Sequence, residues 1–388
     1  MKKTISFIMV PIIIAAMIGG TPLYASAEGP EVNAAGAVLM EESTGEVICA
    51  QNPDVKRSPA SITKIMTLIL VFEAIEKGKI SPEDEVMTSA YAKSMGGSQV
   101  FLEEGELQSV DTLIKCVTVA SGNDASVALA EHVSGSETEF VAEMNRKASE
   151  IGMKNTHFMD CTGLSDSDEH YTTAYDVALM SRYLIMNYPE IYDYSTIWME
   201  DIVHDVNGKQ SPFTLSSTNK LLKQYPYTTG LKTGSTDKAL YCISATAKKD
   251  GMSLIAVVLG APDPATRFET AKNLLHYGFA NVRFYKDETP VSLEELPVKG
   301  SIKQSVKIAA EEPFVYLDTL GIDFGNIQRS EVYAEELKAP IALHSVLGEV
   351  IYEYDGRELG RNKIIAVEEV EKAGYFDCVV RLFSEILL

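Results

Sequence analysis

The spacing of apolar positions changes along the chain, and each change predicts a different kind of element. Residues 36–40 and 47–50 are apolar runs around Ser43-Thr44-Gly45, which predicts a β-hairpin. Between 62 and 75 the apolar residues Ile62, Ile65, Met66, Ile69, Phe72 and Ile75 recur at helical spacing, and Gly78 supplies a stop. Helices are also predicted over 110–119 and 125–133, separated by the polar break Ser121-Gly122-Asn123-Asp124, and over 140–151 and 176–186. The pattern then turns to strands at 231–234, 241–247 and 253–259, with Asp250-Gly251 as a turn, before 267–278 returns to helix. Strands at both ends of a helical middle predict an α/β (α+β) layered fold in which the first hairpin joins the later strands.

Past Pro290 the helical period is lost. Short β-rich runs follow at 304–308, 314–317, 348–354 and 363–367, with turn signals such as Asp355-Gly356. The expected division is a first domain over 28–288, a small all-β domain over 289–372, and a short amphipathic segment over 373–388. That last segment places Phe376, Val379, Val380, Phe383 and Leu387 on one helical face, which suits either a membrane surface or docking on the β-domain. Arg381 is the lone cation after 372, so attraction to anionic lipid is weak.

The first residues read as an address rather than as fold. Lys2 and Lys3 precede an uncharged apolar run from 5 to 18, and Ala25-Ser26-Ala27 supplies a small-x-small cleavage site. A secretory signal peptide over 1–27 is expected, with an uncleaved anchor as the alternative, and the protein is placed outside the cytoplasmic membrane. The net charge of −21 argues against nucleic acid as a partner. Five cysteines without CxxC spacing argue against a disulfide framework, and Cys116 and Cys242 in apolar stretches read as buried thiols. Six histidines without an HxH or HExxH pair give no reason to expect a metal site.

Three short motifs carry candidate chemistry. Ser61 and Lys64 are three apart on a predicted helix and share a face, with Pro59 suited to the helix start. A serine hydroxyl needs a base, and lysine serves only when neutral. Its ordinary pKa near 10.4 must fall toward neutrality by burial or nearby positive charge, at about 4 kcal/mol. Ser121-Gly122-Asn123 offers a hydroxyl, a flexible link and an amide; alone it also reads as a capping loop with Asp124 as N-cap. Lys232-Thr233-Gly234, followed by Ser235, combines an anion-attracting cation and a hydroxyl with a strand glycine that marks a close approach. Alone it also reads as an edge strand protected by a lysine.

In this order the three resemble the active-site motifs of the penicillin-recognising serine enzymes. The flanks "PASITKIMT", "SGNDASVALAE", "TTGLKTGST" and "RFETAKNLLHYGF" are similar to the low-molecular-weight penicillin-binding proteins that act as D-alanyl-D-alanine carboxypeptidases. The resemblance runs from about 30 to 286 and, more weakly, through "KAPIALHSVLGEVIYEYDGRELG". It implies a transpeptidase-like domain with helices on both faces of an antiparallel sheet, followed by the β-domain. It implies peptidoglycan stem peptides ending in D-Ala-D-Ala as substrate, β-lactams as covalent inhibitors, and no cofactor. By the same resemblance Ser61 is the nucleophile, Lys64 takes its proton, Ser121 relays a proton to the leaving amine, and Asn123 holds the peptide amide and Lys64. Lys232 and Thr233 bind the terminal carboxylate, and the backbone N–H groups of Ser61 and Ser235 form the oxyanion hole.

The chain departs from the family at identifiable points. Ser235 stands where a histidine is frequent. Asp160-Cys161-Thr162-Gly163-Leu164 replaces a common Asn-Pro-containing stretch and reads as a structural loop with an inert thiol. Arg267 reads as a carboxylate-holding residue or as a solvated helix arginine, and Gly97-Ser98 as a loop beside the cleft. A class A β-lactamase shares the three motifs but uses a Glu-x-x-Leu-Asn element, and no Leu-Asn dipeptide occurs here. There is no Gly-x-Ser-x-Gly elbow for a Ser-His-Asp hydrolase. A penicillin-binding envelope protein that has lost turnover is the non-enzymatic alternative.

Overall fold

The computed structural model describes residues 29–206 and 208–375. The predicted leader and the apolar face from Phe376 onward lie outside the described residues. Among the described residues no helix is long and apolar enough to cross a membrane.

The first domain is organised by a five-stranded antiparallel sheet. Its spatial order is Val47–Gln51, Gly36–Glu41, Met252–Ala261, Leu240–Lys249 and Thr228–Thr236. The N-terminal hairpin therefore joins the three late strands through the pairing of Gly36–Glu41 with Met252–Ala261. Strand alternation feeds two separate cores. Val38, Met40, Ile255, Val257 and Leu259 point to the side of helices Lys64–Glu76 and Ala174–Asn187. Ala37, Leu39, Leu254, Ala256 and Val258 point to the opposite side, where helix Pro264–Asn281 packs with Phe268, Ala271, Leu274 and Leu275. Both faces are covered, so the central strands read as near-continuous apolar runs.

Helix Lys64–Glu76 is apolar almost all round because it is enclosed by other helices and the sheet. Its start differs from the expected regular helix. Ala60–Thr63 forms a 3-10 turn, so Ser61 and Lys64 sit on two successive helical pieces. Pro59 has no N–H, and its carbonyl accepts from Ile62 N in an i to i+3 bond of 3.2 Å that tightens this turn.

The antiparallel hairpin Met199–Val206 with Lys209–Ser216 escapes the sequence pattern. Most of its side chains face water and its second strand carries Pro212, so little apolar alternation survives.

The second domain is built on a six-stranded sheet, in the order Gln328–Tyr333, Val346–Tyr354, Arg357–Ala366, Ser305–Ala310, Glu295–Lys299 and Leu337–Lys338. It has its own core around Val306, Val350, Tyr352 and Ile364. Strand Arg283–Asp287 precedes the expected boundary at 288/289, yet it pairs with Phe314–Asp318. Phe284 and Leu317 from this pair also pack on the core beneath helix Pro264–Asn281.

Candidate active site

The edge strand Thr228–Thr236, the turn carrying Ser61, and the start of helix Asn123–Ser134 converge on one groove. Gly234 explains how the strand and turn come so close. A Cβ there would lie 2.9 Å from Ser61 N and 3.0 Å from Ile62 N, so any side chain would push the turn away.

Lys64 is fully buried at the foot of the groove. Its Nζ lies 3.0 Å from Ser61 Oγ, 2.6 Å from Asn123 Oδ1 and 2.8 Å from the Thr162 carbonyl. Ser61 itself is half-buried, within reach of solvent. None of the three Lys64 partners is a carboxylate. Burial draws the Lys64 pKa down to about 8, against partial opposition from Cys161, Asp160 and Asp124.

Ser121 sits in the left-handed region at φ +62°, between helices Val110–Thr118 and Asn123–Ser134. Its Oγ accepts from Lys232 Nζ at 2.8 Å. Asn123 is oriented from both ends: Nδ2 donates to Gly96 O at 2.7 Å, which leaves Oδ1 to Lys64. Asn123 N donates to Ser98 O at 2.8 Å, which places the 96–98 loop beside the groove. The N-cap of this helix is Gly122. Asp124 lies in the first turn instead and accepts from the N–H groups of Val100 and Leu102.

Lys232 is buried and also donates to the Thr233 carbonyl at 3.0 Å. Burial first, then the nearby charges of Lys64 and Arg267, push its pKa well below the ordinary lysine value. Thr233 Oγ1 donates to Thr218 Oγ1 at 2.7 Å, and Ser235 is exposed one step beyond Gly234.

Arg267 is not a solvated helix arginine. It is buried, and its Nη1 donates to the carbonyls of Gly234 and Cys242 at 3.2 and 3.3 Å. The guanidinium lies 4.4 Å from the Phe268 ring centre and 5.7 Å from that of Tyr241, and burial lowers its pKa to about 10.

The 160–165 loop contributes more than the sequence shows. Besides the Thr162 carbonyl, its Cys161 carbonyl accepts from Thr67 Oγ1 at 2.6 Å. A Cβ on Gly163, at φ +83°, would lie 1.8 Å from the Ala60 carbonyl oxygen, so glycine is required for this seat. The Gly-Leu pair in the sequence is the signal that could have flagged the contact. Burial raises the thiol pKa of Cys161 well above the ordinary value and that of Cys242 to about 11, which keeps both protonated. The four cysteines among the described residues are all free and buried. Among the described residues no group of His, Cys, Asp and Glu is arranged to hold a metal ion.

Comparison with known proteins agrees over nearly the whole chain. Residues 24–263 match the family described as D-alanyl-D-alanine carboxypeptidase, and residues 279–372 match the C-terminal domain of penicillin-binding protein 5. D-alanyl-D-alanine carboxypeptidase DacF of Bacillus subtilis is 37% identical, covering 99% of each chain. DacC of Escherichia coli is 34% identical over 90% of this chain and 87% of its own. The crystal structure of penicillin-binding protein 5 from Haemophilus influenzae superposes with a TM-score of 0.79 at 33% identity, covering 89% of this chain and all of that one. A mixed helix-and-sheet domain with an all-β domain behind it is thus an architecture shared with penicillin-binding protein 5, which places the chain among the penicillin-binding serine peptidases. Within that class, the chain belongs to the D-alanyl-D-alanine carboxypeptidase family.

Proposed function

We propose that this protein removes the terminal D-alanine from peptidoglycan stem peptides by way of an acyl-enzyme on Ser61. The observation that carries the reading is the environment of Lys64 Nζ. A neutral amine has two N–H bonds and one lone pair. Asn123 Oδ1 and the Thr162 carbonyl can only accept, so they take the two hydrogens. The lone pair is left facing the Ser61 hydroxyl at 3.0 Å. Lys64 is then a base aimed at the nucleophile, with a pKa brought to about 8.

Attack by Ser61 Oγ on the carbonyl between the two D-alanines moves the hydroxyl proton to Lys64. The backbone N–H groups of Ser61 and Ser235 stabilise the oxyanion. Collapse of the intermediate releases D-alanine, whose amine takes a proton by way of Ser121, and water attacks the ester to free Ser61. The substrate carboxylate is drawn by the positive field of Lys232 and Arg267 and bonded by Thr233 at the end of the strand. A β-lactam offers a carbonyl and a carboxylate in the same relation, and its acyl-enzyme hydrolyses slowly. Action on the outer side of the cytoplasmic membrane is supported by the signal-like N-terminus, and surface contact by the amphipathic C-terminal pattern.

Release of D-alanine from a peptide ending in D-Ala-D-Ala, together with mass spectrometry of the penicillin adduct, tests this reading. The expected result is turnover and a single modified serine, Ser61, both lost in Ser61→Ala. An adduct on another serine would overturn the site; labelling without D-alanine release would favour a binding protein without turnover.

A further inference from the structure

Two segments that build the site, the turn bearing Ser61 that leads into Lys64 and the loop at 159–165, are bonded to one buried imidazole. His170 is 1% exposed. Its Nδ1 accepts from the Met159 backbone N–H at 3.0 Å, so the hydrogen of the neutral ring sits on Nε2. Nε2 then donates to Thr63 Oγ1 at 2.9 Å. Thr63 immediately precedes Lys64. Met159 opens the loop in which the Asp160 carboxylate accepts from the N–H groups of Thr162, Gly163 and Ser165. That loop delivers the Thr162 carbonyl to Lys64 Nζ.

We propose that His170 is a positioning residue for acylation: in its neutral form it pins the 159–165 loop to the turn, so that the Thr162 carbonyl occupies one Lys64 hydrogen and the lone pair faces Ser61. This rests on the reading of Ser61 and Lys64 given above. Protonation undoes the arrangement. The added proton goes to Nδ1, where the Met159 N–H already points, and two donors then oppose each other. The Asp160 Oδ2 lies 3.7 Å from Nδ1, and a carboxylate drawn to the ring leaves the backbone N–H groups that shape the loop.

The groups facing the ring are the Asp160 carboxylate, the Thr63 hydroxyl and the edge-on ring of Phe158, with the charges of His157 and Lys238 further off. Burial disfavours the charged ring most; Asp160 opposes this, and His157 and Lys238 add to it. The balance lies below the ordinary histidine value. The loop is therefore locked at neutral pH and released as pH falls through that lower value. Lys64 loses its neutral form over a higher range, so two protonations, not one, shut down acylation on the acid side.

The test follows the rate of acylation by a fluorescent penicillin from about pH 5 to about pH 9, with D-alanine release alongside, in the full chain and in His170→Ala and His170→Gln. In the unaltered protein the acid limb should steepen from one proton toward two at its low end. His170→Ala should acylate about tenfold or more slowly at neutral pH, with the loss in kcat rather than KM. A glutamine amide can donate to Thr63 and accept from Met159 without titrating. His170→Gln should therefore restore most of the lost rate and return the limb to a single proton. A wild-type two-proton limb in His170→Gln, or a wild-type rate in His170→Ala, overturns the proposal. Should the alanine variant not fold, the glutamine variant and NMR titration of the His170 ring still decide: the Nε2–H tautomer with a depressed pKa is expected, and the Nδ1–H tautomer or a ring charged at neutral pH contradicts it. If penicillin fails to modify Ser61 at all, the reading of the site fails instead.

Discussion

The groove of the first domain and the β-domain treat buried charge in opposite ways. In the groove of the first domain, Lys64, Lys232 and Arg267 are buried and bonded to hydroxyl, amide and carbonyl oxygens, never directly to a carboxylate. All three have pKa values below the ordinary range. In the β-domain, Arg329 reaches Asp287 at 3.2 Å and Glu331 at 2.6 Å, and Tyr352 donates to Asp287 at 2.8 Å. Asp318, its side chain buried, receives Arg283 at 2.6 Å. Burial alone would raise the Asp318 pKa, but Arg283 and the N–H groups of Leu320 and Ile322 more than offset this and hold it below the ordinary value. Paired charges stay charged and hold a fold together. Unpaired cations cost stability and gain reactivity, which is the compromise expected where chemistry is done.

The largest effect should separate these roles most cleanly. Lys64→Met is expected to lower acylation by about 10²–10⁴-fold, with no loss of Tm, because it removes a buried cation that lacks a carboxylate partner. Penicillin labelling and calorimetry on the same variant check both halves; a sharp fall in Tm would break the contrast. Next is pH. With Lys64 as the proposed base, the acylation rate should climb about tenfold per pH unit between neutrality and about 8 and level off above it. A flat profile between neutrality and that point would remove lysine as the base. In the β-domain, Arg329→Met removes the cation shared by Asp287 and Glu331, leaving them their neutral donors such as Tyr352 and Ser292. It should cost about 2–3 kcal/mol, under the range for a fully buried pair, with the acylation rate unchanged. Denaturant unfolding and penicillin labelling measure the two. The smallest effect is expected of Asp318→Asn. A carboxyl with a depressed folded pKa gives stability above its unfolded value and loses it as pH falls through the folded one. The Tm gap from wild type should therefore be present at neutral pH and close in acid; a gap independent of pH would mean that the charge is not what matters there.

Legibility in the sequence divides along a related line. Ser61 with Lys64, Ser121 with Asn123, and Lys232 through Ser235 stand in short motifs, each ambiguous alone and singled out by the family resemblance of all three in order, and the structure brings them to one groove. The Thr162 carbonyl gives no such sign, because any residue carries one and its role depends on Gly163 seating the loop under Ala60. His170 and Thr63 are 107 positions apart, beyond the reach of any local pattern. Arg267 was visible but ambiguous: helical spacing does not reveal that Tyr241 and the Gly234 carbonyl lie opposite it. The joining of the first hairpin to the late strands was legible from strand patterns at both ends of a helical middle, whereas the hairpin at 199–216 is too polar and too exposed to leave a period.

The most direct measurement of the account is the titration of the Lys64 side-chain nitrogen in the intact protein, followed by ¹⁵N-lysine NMR with Lys64→Met to assign the signal. The account predicts a midpoint at about 8, more than two units under a free lysine. A midpoint at the free-lysine value would contradict it, since that amine would be charged whenever Ser61 is asked to react.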